Sequence, residues 1–413
     1  MPDYLSPKTY ASLRLPVEQA TSLLPEAYRD AEFFSLERER IWQKSWVAVG
    51  YSSQFPNVGD ILPVDLAGQP LIVLRDKEGH FRTFYNVCRH RGSRLVDEPT
   101  NCSVIRCPYH GWGYSLEGAL LGTPHFNGRA HTQGEPEHLC VDGSEGCFRK
   151  EDYPLFEVAT EAWGGVVFVN LSPNPVPFSD WLGDLPERFS RHPLDELQLV
   201  RREAFEINAN WKLIAENFME YYHLPFGHPE LCNVSGIDNH WRYQGPGMYT
   251  GMCTSPLTDD PNTVSFDGLP RWKELTYTES RSAYFVWLFP NIALWIFPHH
   301  LLTLLVFPES EGRTHETMDM LVHPEAFQSP GCDETLDRIM KFWKFVNEQD
   351  VLLVERVQKG LVSAPYRGGR MSFRFEEPLH RFQNIVADMM TGSIRVPAGD
   401  ERDEAPVLDA VVS

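Results

Sequence analysis

Residues 35–42 carry apolar side chains at helical spacing, and after them the period of the apolar positions drops from about 3.6 to about two. The first segment predicts a short amphipathic helix. Three β-like runs follow, separated by Gly68 and by a turn at residues 76–79, and they lie at residues 61–66, 70–75 and 80–87. Short runs joined by tight turns predict an antiparallel meander.

The rest of the chain mixes strand-like and helical patterns. A loop rich in Gly, His and acidic residues at 125–146 precedes a strand predicted at residues 164–171, and the Pro-rich residues 172–177 are typical of a domain boundary. Further along, we predict a helix at 211–223, two buried strands within 284–307 joined at Pro290-Asn291, a strand at 317–322 and a long helix at 333–360. Helices packed on an antiparallel sheet define an α+β fold.

The composition narrows the class of protein. Of the 413 residues, 42% are hydrophobic and 23% are charged, which is typical of a globular chain with room for two domains. The formal net charge of −20 would repel both a phosphate backbone and an anionic membrane surface. Pro290, Asn291 and Pro298 interrupt the most apolar stretch, and the N-terminus lacks an export pattern. We therefore expect a cytoplasmic protein that binds neither nucleic acid nor a membrane.

Two of the eight cysteines stand in a pattern with histidine. Cys88-x-His90 and Cys107-x-x-His110 each offer one thiolate and one imidazole. Two His in place of two Cys on one iron form the ligand set of a [2Fe-2S] cluster with a raised reduction potential. The alternative is a structural zinc site, whose paired ligands usually have two or more residues between them. The single residue between Cys88 and His90 therefore favours the iron-sulfur cluster.

A second group of polar residues lies at the start of the second domain. On the helix predicted at residues 211–223, Glu216, Glu220 and His223 form one polar line at positions i, i+4 and i+7. A Pro and a Gly then end the regular turns, which lets His228 turn back toward His223. The two imidazoles predict part of a metal site.

The third ligand of this site is expected on the C-terminal helix. Asp350 falls in phase with the apolar positions of that helix, which are Leu336, Ile339, Trp343, Val346, Val354 and Val357. A carboxylate that faces a core is unfavourable unless it is paired or bound to a metal. Two His and one carboxylate bind one face of an Fe(II) and leave positions open for O2 and substrate. The alternative is a pair of core histidines with Asp350 paired to an Arg such as Arg356.

The chain resembles the Rieske family through two sequences, Cys88-Arg89-His90-Arg91-Gly92 and Cys107-Pro108-Tyr109-His110-Gly111-Trp112. From about residue 46 to 360, the order of its motifs is similar to that of the oxygenase subunits of Rieske non-heme iron oxygenases. The resemblance implies that the Cys and His of the two motifs bind the [2Fe-2S] cluster. It also implies that His223, His228 and Asp350 hold a mononuclear catalytic Fe(II).

The same resemblance implies a domain order and an assembly. Residues 1–44 would form an arm that is part of the catalytic domain, residues 45–165 an all-β Rieske domain, and residues 166–413 an α+β catalytic domain with an antiparallel sheet and flanking helices. The oxygenase would be a ring-shaped homotrimer that receives electrons from a flavin and iron-sulfur reductase. Electrons would pass from the cluster of one subunit to the iron of its neighbour.

One position departs from the pattern of the ring-hydroxylating members. They have an Asp three residues before the first iron-binding His, where this chain has Glu220, and the segment between Asn217 and His223 is one residue shorter. A Glu in this role is similar to the branch that includes glycine betaine, carnitine and related quaternary-ammonium oxygenases. The resemblance implies that Glu220 links His223 to His110 of the next subunit.

This branch implies a monooxygenase that hydroxylates a carbon next to a quaternary nitrogen, after which the carbon-nitrogen bond can break. A trimethylammonium group needs a cage of aromatic faces, for which the candidates are Tyr221, Tyr222, Tyr284, Trp287 and Trp295. Aromatic residues at alternating strand positions are also typical of a core. Two other functions stay open: an aromatic ring-hydroxylating dioxygenase, and an electron carrier or zinc-stabilised binding protein. The His-His-Asp group argues against the last, because an electron carrier needs no open iron.

Overall fold

The structure, a computed structural model, describes residues 2–124, 148–232, 236–254 and 268–393. The loop at residues 125–146 lies outside the described residues. The chain divides into two units, of which one comprises Val49–Ala162 and Val167–Pro173. The second comprises Met1–Ala48, Trp163–Val166 and Asn174–Ser413, so the N-terminal arm belongs to the same unit as the C-terminal half.

The first helix begins four residues before the predicted one. Helix α1 spans Ala31–Glu37, and a π-helical turn, Arg38–Trp42, continues it. The Asp30 carboxylate accepts the backbone N–H groups of Glu32 and Phe33, which the helix itself leaves without partners. The predicted start at residue 35 was wrong because this cap, rather than the first apolar repeat, fixes where the helix begins.

Ten strands lie in the described residues between 47 and 170. They are β1 Val47–Tyr51, β2 Asp60–Leu66, β3 Gln69–Arg75, β4 Phe81–Tyr85, β5 Thr100–Asn101, β6 Ile105–Arg106, β7 Gly113–Tyr114, β8 Leu120–Gly122, β9 Glu157–Trp163 and β10 Val166–Asn170. Seven form a sheet in the order β1-β10-β9-β4-β3-β2-β5, and β6-β7-β8 form a smaller one. The predicted meander is confirmed as β2-β3-β4. Strand β9 was not predicted, because its polar sequence EVATEAW shows no apolar alternation.

In the part of the other unit that the structure describes, seven strands form an antiparallel sheet in the order β11-β17-β16-β15-β14-β13-β12. The strands are β11 Gln198–Ile207, β12 His240–Arg242, β13 Tyr249–Thr254, β14 Tyr284–Leu288, β15 Ile292–Ile296, β16 Leu301–Ser310 and β17 Arg313–Val322. The predicted strand pair joined at Pro290-Asn291 is confirmed as β14 and β15. The predicted strand at residues 317–322 is confirmed within β17.

Seven helices accompany this sheet in the described residues: α2 Phe178–Leu182, α3 Leu185–Arg188, α4 Trp211–Met219, α5 Leu224–Gly227, α6 Pro229–Cys232, α7 Cys332–Gly360 and α8 Glu377–Thr391. Helix α7 confirms the predicted long helix, although Val357 of its expected apolar stripe is 48% exposed. Helix α8 was not predicted. The α+β class with an all-β part first is confirmed. Within the described residues, every helix is too short or too polar to cross a bilayer.

A buried ion pair ties the N-terminal arm to α4. The Lys212 ammonium lies 2.6 Å from a carboxylate oxygen of Glu37, and both side chains are fully buried. The same ammonium donates to Asn210 Oδ1 at 2.8 Å and lies over the rings of Tyr28 and Phe33. Removing one partner would leave an uncompensated charge inside the protein.

We predict that Lys212→Met lowers the stability of the unit that contains α4 by about 3–5 kcal/mol, because Glu37 would remain buried without its partner. The measurement is the urea midpoint of the folded protein. The double variant Glu37→Met/Lys212→Met should recover much of the loss, and Lys273→Gln, at an exposed pair with Glu325, should change little. A single variant as stable as the unmodified protein would contradict this account.

Candidate metal centres

The two Cys-His motifs fold into loops of the same geometry. The Cys88 N–H donates to Ser93 O, and the Gly92 N–H donates back to Cys88 O. The second loop repeats both bonds at the same spacing, from Cys107 to Trp112 O and from Gly111 to Cys107 O. Gly92 and Gly111 have φ of +71° and +72°, which a side chain would disfavour. Two matched loops therefore present the two Cys-His pairs.

In both loops the thiol is buried and the imidazole lies nearer the surface. Cys88 and Cys107 are each 3% exposed, within a core that includes Trp112 and Tyr114. The rings of His90 and His110 lie 4.7 Å apart, and His110 is exposed. The donor set of two thiolates and two imidazoles fits a [2Fe-2S] cluster in which one iron has His ligands.

Hydrogen bonds favour negative charge on the sulfurs. The Tyr114 hydroxyl lies 3.4 Å from Cys88 Sγ and accepts the Arg89 N–H, so its own hydrogen can point to the sulfur. Burial raises the pKa of Cys88. Burial acts on Cys107 too, yet the N–H groups of Tyr109 and His110 lower its pKa overall. Such bonds to cluster sulfurs are one of the means by which a protein adjusts reduction potential.

Glu220 ends helix α4 four residues before the predicted end. The backbone of Glu220 is extended, with φ −99° and ψ 152°. Its Oε2 accepts the backbone N–H groups of Tyr222 and His223, so the chain starts a new turn there. The polar line predicted from Glu216 through His223 on one helix is therefore wrong. The local carboxylate competes with the helix for these backbone donors.

The three predicted iron ligands come together in the structure. His223 precedes α5, His228 follows it, and Asp350 lies on α7. One ligand atom from each lies within 4.8 Å of the other two. Asp350 Oδ1 is 2.8 Å from Nε2 of His228 and 3.5 Å from Nε2 of His223. The alternative pairing of Asp350 with Arg356 is not what the geometry favours.

In both imidazoles, Nδ1 already has a hydrogen-bond partner within the protein. Nδ1 of His223 lies 2.5 Å from Glu220 Oε1, and Nδ1 of His228 lies 2.7 Å from Gln349 Oε1. Carboxylate and amide oxygens only accept, so in a neutral imidazole Nδ1 carries the hydrogen and Nε2 is a lone pair. Two such lone pairs and Asp350 Oδ1 then face one point. A cation bound there would relieve their mutual repulsion, and this donor set fits Fe(II).

The surrounding charges also favour a cation. Burial alone would lower the pKa of His223, but its hydrogen bond to Glu220 raises that pKa overall. Burial is likewise outweighed at His228, where Asp350 raises the pKa. The same negative potential that stabilises an imidazolium stabilises a metal ion bound between the rings.

Two residues that support the ligands were missed at the level of sequence. Gln349 holds His228, and Asn347 donates to Glu316 Oε1 at 2.7 Å, which fixes α7 one turn before Asp350. Glu316 is fully buried, and burial raises its pKa to about 7. Gln349 directly precedes a predicted ligand, and that adjacency was the available signal.

The other polar and aromatic candidates are distributed over several places. Glu216 is buried and accepts from the Tyr28 hydroxyl at 2.7 Å, away from the predicted polar line, and burial raises its pKa to about 7. The five candidate cage residues pack in three groups: Tyr221 and Tyr222 on Phe375, Trp287 and Trp295 on Phe218, and Tyr284 on Phe189 and Tyr243. The five rings therefore do not surround one point.

Family models match both parts of the chain. The model described as "Rieske [2Fe-2S] domain" matches residues 45–133, which include the two Cys-His loops. The model described as "Ring hydroxylating alpha subunit (catalytic domain)" matches residues 194–392, which include the His-His-Asp group.

Relatives that match most of this chain are named as monooxygenases or their oxygenase subunits. The chain is 27% identical over 408 residues to the glycine betaine monooxygenase oxygenase subunit of Pseudomonas aeruginosa, covering 91% of each chain. It is 28% identical over 402 residues to the carnitine monooxygenase oxygenase subunit of Escherichia coli, covering 94% of this chain and 98% of the relative. It is 26% identical to the chloroplastic choline monooxygenase of Atriplex hortensis, covering 89% and 78%.

Solved structures share the fold. A quaternary ammonium Rieske monooxygenase in complex with gamma-butyrobetaine has a TM-score of 0.72 and 25% identity, covering 92% of this chain and 98% of that chain. Naphthalene 1,2-dioxygenase from Rhodococcus sp. has a TM-score of 0.73 at 22% identity, covering 95% and 100%. The second likeness shows the fold alone.

We predict that Gln349→Leu weakens iron binding at the His-His-Asp site by about 10–100-fold, because His228 would lose the bond that holds its tautomer and orientation. The measurement is mononuclear iron content after dialysis against a graded chelator, with the visible spectrum as a check that the cluster remains. Glu348→Leu, an exposed neighbour on the same helix, is the matched control. Equal iron retention in the two variants would refute the role of Gln349.

Proposed function

The chain belongs to the Rieske non-heme iron oxygenases, and we propose that it is the oxygenase subunit of a monooxygenase that acts on a quaternary-ammonium compound. It would hydroxylate a carbon bound to the quaternary nitrogen, and the carbon-nitrogen bond can then break. One atom of O2 enters the substrate and the other leaves as water, which requires two electrons and two protons. The observation that carries the proposal is the convergence of His223, His228 and Asp350 beside Glu220.

Each residue of the site has a defined task in this proposal. Cys88, His90, Cys107 and His110 would hold the cluster, and His223, His228 and Asp350 would hold the iron. When bound, the cluster would supply single electrons, and the iron would supply the site at which O2 is reduced. Glu220 and Gln349 orient the two imidazoles through Nδ1, which keeps both Nε2 atoms directed at the metal position. Three protein ligands would leave the other positions of an Fe(II) available to O2 and substrate.

The substrate class rests on the relatives and on Glu220. Oxygenase subunits for glycine betaine and carnitine, together with a choline monooxygenase, match nearly the whole chain. Their named substrates share a quaternary ammonium group. The likeness to the naphthalene 1,2-dioxygenase structure shows the fold alone, and the full-length relatives named here are monooxygenases, so the ring-hydroxylating alternative has weaker support.

Glu220 is also our candidate for the link between subunits. One carboxylate oxygen already binds His223 Nδ1. In a homotrimer, the carboxylate could also bind His110 of the neighbouring subunit and so join the two metal centres. A structure of the quaternary ammonium Rieske monooxygenase is described as giving insights into inter-subunit electron transfer. Electrons would come from a flavin and iron-sulfur reductase, and we propose a cytoplasmic location for the pair.

We predict that quaternary amines, and not aromatic acids, stimulate O2 consumption when the oxygenase is supplied with electrons by a reductase. Glycine betaine, carnitine and choline form one arm of the panel, and benzoate and salicylate the other. Product analysis should find one cleaved or hydroxylated substrate for each O2 consumed. His228→Ala, which removes a metal ligand, should lose turnover but keep the cluster spectrum. If an aromatic substrate gave a cis-diol and no amine stimulated O2 consumption, the proposed function would be wrong and the ring-hydroxylating dioxygenase would be the better assignment.

A further inference from the structure

The guanidinium of Arg374 lies against three aromatic rings. Its central carbon lies 5.2–5.6 Å from three ring centres, those of Tyr221, Trp241 and Phe375. Its terminal nitrogens donate to the Tyr221 hydroxyl at 2.5 Å and to His240 O at 3.2 Å. The rings and these two bonds hold the cation in one position.

This cation has no carboxylate partner among the described residues. The two acidic residues that follow it bind other groups: Glu376 accepts the Ser372 N–H, and Glu377 pairs with Arg242 at 2.8 Å. A guanidinium has five N–H groups, and protein oxygens in the described chain accept two of them. Three donors therefore remain for a ligand or water.

Arg374 also contacts an apolar cluster, two of whose residues flank His223 in the chain. Tyr221 and Leu224, on either side of His223 in the chain, belong to this cluster with Met252. Phe375 packs against the same cluster. Through the Tyr221 hydroxyl, Arg374 is therefore connected to a residue that lies two positions before His223 in the chain.

We propose that Arg374 binds the carboxylate of the substrate, and that it directs the enzyme to quaternary amines that also carry a carboxylate. This inference rests on the proposed function. A planar guanidinium matches the two oxygens of a carboxylate and forms a charge-assisted pair with it. The ammonium end of such a zwitterion then lies away from Arg374, toward the metal ligands, where the carbon next to nitrogen must react.

Glycine betaine and choline differ in the group that Arg374 would bind. Glycine betaine ends in a carboxylate, whereas choline ends in a neutral hydroxymethyl group and carries a net positive charge. A cation gains nothing from Arg374 and is repelled by it. The proposal therefore predicts discrimination between two molecules that are otherwise similar in size and in ammonium group.

We predict that in Arg374→Met the ratio of kcat/KM for glycine betaine to that for choline falls about 10²-fold or more, because the carboxylate loses its partner. The second measurement is anaerobic titration calorimetry of the holoenzyme with glycine betaine, where the affinity should fall in parallel. Arg313→Met removes an equal charge at an exposed position on β17 and serves as the control. An unchanged ratio in Arg374→Met would overturn the proposal.

Two further arms keep the test independent of how well Arg374→Met folds. Arg374→Lys should lose selectivity for glycine betaine only in part, since it keeps the charge but not the fork. In the unmodified enzyme, betaine amide, which lacks the negative charge, should bind more weakly than glycine betaine. Equal binding of the two would overturn the role of Arg374 while quaternary amines remain substrates. If no quaternary amine stimulates O2 consumption, the proposed function fails and this inference fails with it.

Discussion

The carboxylate of Glu220 is the constraint on which the iron site depends. It accepts the N–H groups of Tyr222 and His223, which ends α4 at Met219 and starts the turn that leads to α5. Its other oxygen fixes Nδ1 of His223. A single side chain therefore sets both the path of the backbone and the direction of a ligand lone pair. If α4 continued through residue 223, His223 would leave this position relative to His228 and Asp350.

The parts of the molecule that could be predicted are those whose chemistry is local in the chain. Each Cys-His pair lies within four residues, so its spacing alone specifies a ligand loop, and the strands of the meander follow one another through tight turns. Asp350 lies far from the two histidines in sequence, but its helical phase indicated a side chain directed inward from the long helix, and in the structure its carboxylate lies near both imidazoles. The period of apolar residues supplied that phase.

The features that were missed depend on contacts that no period encodes. The Glu220 side chain ends α4 because it accepts backbone N–H groups of the following residues. In the sequence, the same residue fits the polar face of a continuous helix equally well. Gln349 and Arg374 are polar residues that contact distant segments of the chain, Gln349 at His228 and Arg374 at the rings of Tyr221 and Trp241. The aromatic candidates were chosen by residue type, and the fold uses most of those rings for packing.

Rapid-mixing spectroscopy of pre-reduced Glu220→Gln tests the central claim most directly. Gln keeps the size and one acceptor but removes the charge that would hold two imidazole N–H groups. With both metals measured beforehand, the account predicts full occupancy and a reoxidation of the cluster, in the presence of substrate and O2, that is slower by about 10²-fold or more. Reoxidation at the unmodified rate with full iron content would contradict it. Loss of the mononuclear iron would instead make Glu220 itself a ligand.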